Sequence, residues 1–360
     1  MELRRVYANS KDVASGAAVN LPEIDAFATG SLHVILARVY RLPAPLSDAI
    51  DGVVAEHPSA KVAAAARSLS ERYLADHAAS APIIDSGLRA AAYVLTRMPA
   101  TYAAARAAVE QVRLSVPGLE PRRVLDLGCG TGGVSAAVAD AFDGVEELRL
   151  VDYSADALAL AQRLLVGAGP RLVASQRRLG GRTVPDGAAV VELAVCGFVL
   201  GELDEAARAA VVAELVAAAP TVLIVEPGTP AGYRRILAAR EQLLAAGLTL
   251  AAPCPHHEQC PLTGDDWCHA VARLERTVAH RAAKGGSRDY EDEKFAYIAA
   301  TRLPVTRPAA RVLRHPQIRS GHVLLELCRA DGTAAGVTVS KKQGADYRAA
   351  RRVQWGEGWG

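Results

Sequence analysis

The sequence predicts an α/β fold: a Rossmann-like sheet with a helical N-terminal region and an inserted cysteine-rich metal-binding segment. Three observations carry this. From about residue 121, short β-branched runs alternate with amphipathic helical patterns, as βαβ units around a parallel sheet do. The first of those runs ends in a glycine-rich turn, "VLDLGCGTGG". Later, "CPHHEQCPLTGDDWCH" gathers three cysteines and three histidines between Cys254 and His269.

The chain has 360 residues, 51% of them hydrophobic. That length supports a full core and two or three domains. The expected division is a helical region over 1–120, a Rossmann-like core over 121–248, a cysteine-rich insertion over 249–300, and closing antiparallel strands with a basic tail over 301–360. The net charge of +2 confines any nucleic-acid surface to a local patch. The opening "MELRRVYANSKDVASGAAVN" has no long apolar run, so it does not read as a secretory signal. Arg, Asp and Glu interrupt the helical patterns every few residues, so no membrane span is expected. A cytoplasmic location follows as the expectation. In that compartment clustered cysteines hold metal or do chemistry rather than form disulfides.

Each element has its own signal. "DAIDGVVAEH", "AKVAAAARSLSERYLADH" and "SGLRAAAYVLTR" place apolar residues at three- and four-residue spacing, which predicts helices. "MPATYAAARAAVEQV" continues the pattern, with Pro99 near a helix start and Thr101 as a cap. Together they predict a helical lid or docking layer. The core then reads "RRVLDL" (strand), "ELRLVDYS" (strand), "ADALALAQRLL" (helix), "RLVASQ" (weaker strand) and "AAVVELAVCGFVL" (strand). "DEAARAAVVAELVAAA" (helix) and "PTVLIVEPG" (strand) complete it. Beyond the cysteines, "ARVLRHPQI", "GHVLLELCRA" and "AGVTVSKK" are joined by turns at "RSG" and "ADG". They predict antiparallel strands that close the sheet.

In the glycine loop, Gly128, Gly130 and Gly132 let the backbone turn sharply and approach a ligand. The following helix offers its N-terminal amides to an anionic group. Asp152 ends the next strand 26 residues after Asp126, where a carboxylate binds a ribose diol. A dinucleotide site carries G-x-G-x-x-G instead. "DLGCGTG" resembles motif I of class I methyltransferases, which bind S-adenosylmethionine. That resemblance gives Asp126 to the amino-acid part of the cofactor and Asp152 to its ribose. Cys129 reads as a small packing residue. The acceptor region, "AVCGFVLGEL", has no Pro-Pro and no evident acid to polarise an amine. Cys196 lacks the Pro-Cys context of a cytosine-5 nucleophile and reads as a buried strand residue. Glu226 in "VEPG" is structural or orders a substrate group.

Cys254, Cys260, Cys268 and Cys328 follow the pattern C-x5-C-x7-C-x59-C. Four thiolates suit tetrahedral zinc or an iron–sulfur cluster. Zinc knuckles use tighter spacing, so the wide loop favours a [4Fe–4S] cluster, with zinc as the alternative. His256, His257 and His269 read as groups around the ligands or on the surface. His280 and His315 carry no signal.

These pieces together resemble the Rsm22 family. The carriers are "YVLTRMPATYAAAR", "VLDLGCGTGG", "VEPGTP", "APCPHHEQCPL", "DWCH", "EKFAYI", "RHPQIRSGHVLLELC" and "SKKQGADYRAARRVQWGEGW". The resemblance runs from about residue 90 to the C-terminus. It implies a class I methyltransferase fold, a [4Fe–4S] cluster on the four cysteines, and a role in small ribosomal subunit assembly. The expected partner is small-subunit rRNA, with no membrane and no DNA. The expected function is S-adenosylmethionine-dependent methyl transfer to that RNA. The alternatives are a non-catalytic RNA-binding assembly factor and a small-molecule methyltransferase with a structural zinc site. Residues 302–360 hold eleven Lys and Arg against four Asp and Glu. There Lys341, Lys342, Arg348, Arg351 and Arg352 are expected to meet phosphates, and Tyr347, Trp355 and Trp359 to stack on bases.

Overall fold

The computed structural model describes residues 38–74, 84, 86–181 and 191–360. The part of the helical expectation before residue 38, with the N-terminal signal reading, lies outside them. Ile35–Gly360 form one compact unit. A short strand, β1 (Val39–Tyr40), precedes α1 (Ala44–Ala55), α2 (Ser59–Leu74), α3 (Gly87–Thr96) and α4 (Met98–Ser115). Ser86 caps α3 by accepting from the Arg89 amide. Helix α4 starts one residue before Pro99, so Thr101 lies inside it rather than capping it. Met98, Tyr102, Ala105, Val109 and Val112 are all buried. Alanine is the best helix former and also keeps such a helix thin enough to lie close to a sheet.

The core follows as β2 (Arg123–Leu127), α5 (Gly133–Ala141), β3 (Glu147–Asp152), α6 (Ala155–Leu165), β4 (Arg171–Gln176) and β5 (Leu193–Gly197). Then come α7 (Glu205–Ala218), β6 (Thr221–Pro227), α8 (Pro230–Ala245), β7 (Thr249–Ala252), β8 (Ala270–Glu275), α9 (Val278–Lys284) and β9 (Tyr290–Thr301). The strands form one sheet in the order β1-β8-β9-β6-β5-β2-β3-β4, with β7 also on β9. β2 to β6 run parallel and β9 antiparallel. This is a mixed α/β sheet. Strand order reverses between β2 and β5, and a crevice at the carboxyl ends of such strands is where ligands bind.

The C-terminal strands do not close this sheet, contrary to expectation. β10 (Ala310–Val312), β11 (Gln317–Arg319), β12 (His322–Arg329), β13 (Ala334–Ser340) and β14 (Gly358–Trp359) form a second, five-stranded antiparallel sheet. Helix α10 (Ala345–Ala350) packs on it over Val323, Leu325 and Val339. Burial gives the reason. In β9 every residue from Phe295 to Thr301 is buried, as a strand covered on both faces requires. In β13 only Val339 is fully buried, as in a strand with one open face. Closure of the main sheet falls to β9, with β6 on one side and β7 and β8 on the other. The cysteine insertion thereby shrinks to 253–269, because β8 and β9 belong to the sheet.

One ionic cluster joins α9 to β8 and β9. Glu291 accepts from Arg276 at 2.7 and 3.0 Å and from Lys284 at 2.6 and 2.7 Å, with His280 Nε2 at 3.4 Å. Burial pushes the Glu291 carboxyl up, but His280, Lys284 and Arg276 together outweigh it and hold it well below the usual range. A depressed carboxylate stabilises the fold above its unfolded value and loses that contribution as the pH falls. Glu291→Gln should therefore destabilise the protein by about 3 kcal/mol at pH 7, the low end for breaking a buried pair. The difference from wild type should shrink below about pH 4. Urea unfolding at pH 7 and pH 3 measures both.

Candidate functional site

A cleft opens at the carboxyl ends of β2, β3 and β5, lined by Gly128, Gly130, Asp152, Tyr153, Phe198 and Glu202 among others. The amides of Gly128 and Cys129 donate to Val151 O at 2.7 and 3.0 Å, which bolts the loop to β3. A Cβ at Gly128 would stand 2.4 Å from Val199, and one at Gly132 2.7 Å from Leu165. Gly132 therefore serves packing at the start of α5 and does not line the cleft. Gly130 differs: φ is +51° and a Cβ there would meet nothing within 4 Å, so a side chain would occupy the open cleft. Its amide donates to Asp152 Oδ2 at 2.9 Å, and Ser154 N donates to Oδ1 at 2.9 Å. These bonds fix the carboxylate at the cleft edge and leave each oxygen a further lone pair for a ligand.

Asp126 sits elsewhere than the motif resemblance implies. It is 1% exposed, beneath the loop, and does not line the cleft. Ser135 Oγ donates to its Oδ2 at 2.6 Å, and Oδ1 has no partner among the described residues. Burial, with Asp152 nearby, pushes its carboxyl up to about 7. The expectation that the acceptor region lacks an acid is corrected. Phe198 follows β5 with φ at +63°, a strained value for a non-glycine residue. The tight turn Leu200–Glu202 then sets Glu202 at the cleft mouth. The cleft walls, Asp152 and Glu226 push its carboxyl up. Glu226 does not line the cleft; it accepts from Leu200 N at 3.0 Å and Arg235 Nε at 2.6 Å and so holds the turn. Cys129 and Cys196 are buried, and burial pushes both thiols up, which suits packing rather than nucleophilic attack.

The four remaining cysteines share a second cavity. Cys254, Cys260, Cys268 and Cys328 line it, together with Tyr233 and Arg240 from α8, Tyr297 from β9 and Arg311 from β10. All four thiols are free. Tyr233 Oη donates to Cys260 Sγ at 3.0 Å, and His256 Nε2 lies 3.3 Å from Cys328 Sγ. Burial pushes the Cys268 and Cys328 thiols well up, the latter to about 12. Among the described residues no three His, Cys, Asp or Glu side chains are arranged to hold a metal ion. His257 turns away: its Nε2 accepts from Leu250 N at 3.2 Å. His269 stacks on Trp267 at 5.2 Å. Tyr233, Arg240 and Arg311 carried no sequence signal, since a tyrosine or arginine inside a helix or strand reads as surface.

The C-terminal aromatics correct another expectation. Trp355 Nε1 donates to His269 O at 2.8 Å, and its ring packs between His269 and His315. Trp359 lies in β14 opposite Ala310, and Tyr347 packs on the second core. All three rings are engaged by the fold, because a short sheet needs them to complete its core. Lys341, Lys342, Arg348 and Arg352 are exposed, and none pairs with a carboxylate among the described residues. No described helix is long and apolar enough to cross a membrane.

A buried acid with a raised value loses stability as the pH rises through the interval between its unfolded and folded values. Asp126→Asn should therefore stabilise the protein by at least about 1 kcal/mol above pH 7, with the gain vanishing towards pH 4. Thermal melts of both proteins across that range check it.

The family described as "Mitochondrial small ribosomal subunit Rsm22" matches residues 87–360. The human "Ribosome assembly protein METTL17, mitochondrial" is 29% identical over 294 residues, covering 74% of this chain and 61% of its own length. The "Rsm22-cox11 tandem protein 2, mitochondrial" of Schizosaccharomyces pombe is 25% identical over 179 residues, covering 38% of this chain and 24% of its own. The chain thus spans less than two thirds of either relative. Among solved structures, magnesium protoporphyrin IX methyltransferase (ChlM) of Synechocystis PCC 6803 with bound SAH aligns at a TM-score of 0.37. It is 15% identical and covers 64% of this chain and 93% of its own. Precorrin-6y C5,15-methyltransferase of Geobacter metallireducens GS-15 aligns at 0.36 and 11%, covering 54% and 86%. Those alignments are too loose to carry anything further. The expected cytoplasmic location is overturned, because the family and these relatives are described as mitochondrial. The family match runs from the third helix to the C-terminal glycine, and the chain belongs to the Rsm22 family.

Proposed function

We propose that this protein acts on the small ribosomal subunit during its assembly. It does so as an S-adenosylmethionine-dependent, methyltransferase-like protein that contacts rRNA and carries a structural [4Fe–4S] cluster. The observation that carries the cofactor reading is the open cleft at Gly130, with Asp152 held at its edge by two backbone amides. A ribose diol suits the lone pairs Asp152 keeps free, and the loop glycines admit the cofactor close to the backbone. Asp126 supports the loop from beneath through Ser135 rather than touching the cofactor. Calorimetry should show S-adenosylhomocysteine binding and no NAD binding, and Gly130→Val should abolish the former by filling the cleft. Tight NAD binding instead would reverse the assignment.

The partner reading rests on the family and on the human relative, whose name is that of a ribosome assembly protein. The exposed cations of the second sheet support phosphate contact by Lys341, Lys342, Arg348 and Arg352. The test of turnover is transfer of labelled methyl to small-subunit RNA from a strain lacking the protein, where label on the RNA is expected. Glu202 at the cleft mouth favours this enzymatic reading, since a carboxylate there orients an acceptor. Binding without transfer would establish the second reading, a non-catalytic assembly factor that keeps the pocket. The absence of Pro-Pro after β5 favours that one.

The cluster reading is supported by the meeting of Cys254, Cys260, Cys268 and Cys328 around one cavity, although Cys328 comes from another sheet. Bound there, the cluster would tie the loop 253–269 to β12 without taking part in chemistry. Anaerobically purified protein should be brown, with about four irons and matching sulfide. Serine at any of the four positions should bleach it; serine at Cys129 or Cys196 should not. Stoichiometric zinc without sulfide would select the zinc alternative. Removing Lys341, Lys342, Arg351 and Arg352 together should weaken RNA binding and flatten its salt dependence in a filter-binding titration.

A further inference from the structure

No Asp or Glu lines the cysteine cavity. Its polar walls are donors and cations. Tyr233 donates to Cys260, His256 approaches Cys328, and Arg240 lines the cavity beside Cys254. Two of the sulfurs thus each have a side-chain partner from a different residue. Arg240 and Arg311 are 2% and 3% exposed. Among the described residues Arg311 is held by neutral groups: Pro253 O at 2.8 Å, Gln111 Oε1 at 2.5 Å and Gly356 O at 3.1 Å. Arg240 meets Glu258 O and the largely exposed Glu241. Two buried guanidiniums without a buried carboxylate are costly unless an anion lies between them.

Unpartnered atoms gather here as well. Seven buried side-chain atoms of the described residues lack a hydrogen-bond partner, and Arg240 Nε, His256 Nδ1, His269 Nε2 and Tyr297 Oη are four of them. All four residues line this cavity. Native interiors leave few such groups, and two of these, Arg240 Nε and the Tyr297 hydroxyl, are donors, so they point to missing acceptors at this place. A zinc ion enclosed by four thiolates presents no acceptor beyond those thiolates. A [4Fe–4S] centre presents bridging sulfides as well, and hydrogen bonds to its sulfurs and nearby charge set its potential.

We propose that Tyr233, Arg240, Tyr297 and Arg311 form a shell of donors and counter-charges that selects a sulfide-bearing, anionic centre over zinc at the four cysteines. It rests on the reading of those cysteines as ligands, and it assigns these residues a positioning role. With such a centre bound, the Tyr297 phenol would find an acceptor, Tyr233 would keep its bond to the Cys260 sulfur, and the guanidiniums would balance the negative charge.

The experiment compares wild type, Tyr233→Phe, Tyr297→Phe, Arg240→Met and Arg240→Lys, each purified anaerobically from medium holding both iron and zinc. Phenylalanine keeps the ring packing, so both Phe variants should stay folded and retain iron and sulfide. Their midpoint potentials should fall below that of wild type, because donors stabilise the reduced, more negative form. Arg240→Met should lower the iron-to-zinc ratio several-fold, and Arg240→Lys should restore most of it. Iron and sulfide in wild type, with midpoints and metal ratios unmoved in every variant, would refute the donor shell and leave the cluster in place. Zinc without sulfide in wild type would sink the cluster reading and the shell with it.

Discussion

The pairing of β9 with three neighbours is the constraint on which both sites depend. Its twelve residues run antiparallel to β6 along one edge and to β7 and β8 along the other. Through β6 it sets Glu226, and through Glu226 the turn that carries Glu202 to the cleft beside Gly130. Through β7 and β8 it pins both ends of the cysteine loop, since Cys254 follows β7 and Cys268 precedes β8. Tyr297, within β9 itself, forms a wall of the cysteine cavity. A strand buried from Phe295 to Thr301 cannot slip register by one residue without turning each side chain to the opposite face.

Helix α8 stands between the two sites. Tyr233 and Arg240 face the thiols, while Arg235 pairs with Glu226 behind the cleft. The spacing follows from helical geometry: residues 233, 236, 237 and 240 share a face and line the cysteine cavity. Thr229 caps the helix by accepting from Gly232 N, and Pro230 occupies its first turn. Even the small size of residue 232 is required, because a Cβ there would stand 2.0 Å from Pro227 O. The "VEPGTP" stretch therefore sets how α8 leaves the sheet, and with that the placement of residues in both sites.

A buried arginine is one of the side chains that tie the second sheet to the rest of the fold. Arg311 reaches from β10 to the cysteine loop at Pro253, to α4 at Gln111 and to the C-terminal segment at Gly356. Its neighbour across the ladder is Cys328. The same register that brings the fourth cysteine to the cavity therefore brings a buried cation with it. Trp355 reinforces the joint by bonding the carbonyl of His269, next to Cys268.

Local pattern in the sequence determined much of this protein. The alternation of strands and helices, the sharp loop at Gly128–Gly132, the acid at the end of β3 and the clustering of Cys254, Cys260 and Cys268 are local signals, whereas Cys328 lies 60 residues beyond Cys268. Tertiary structure decided the rest. Asp126 and Asp152 both lie near the ends of strands beside the loop and both are buried, yet only Asp152 lines the cleft, because what packs above each decides which one a ligand can reach. "EKFAYIAAT" had no strand alternation to betray it, since a strand covered on both faces has none. Glu202 was visible as a residue, but only the turn held by Glu226, 24 residues later, puts it at the cleft mouth. The roles of Tyr233, Arg240 and Arg311 arise from contacts between residues far apart in the chain. Such contacts leave no periodicity in a single sequence, so only the packed molecule could reveal them.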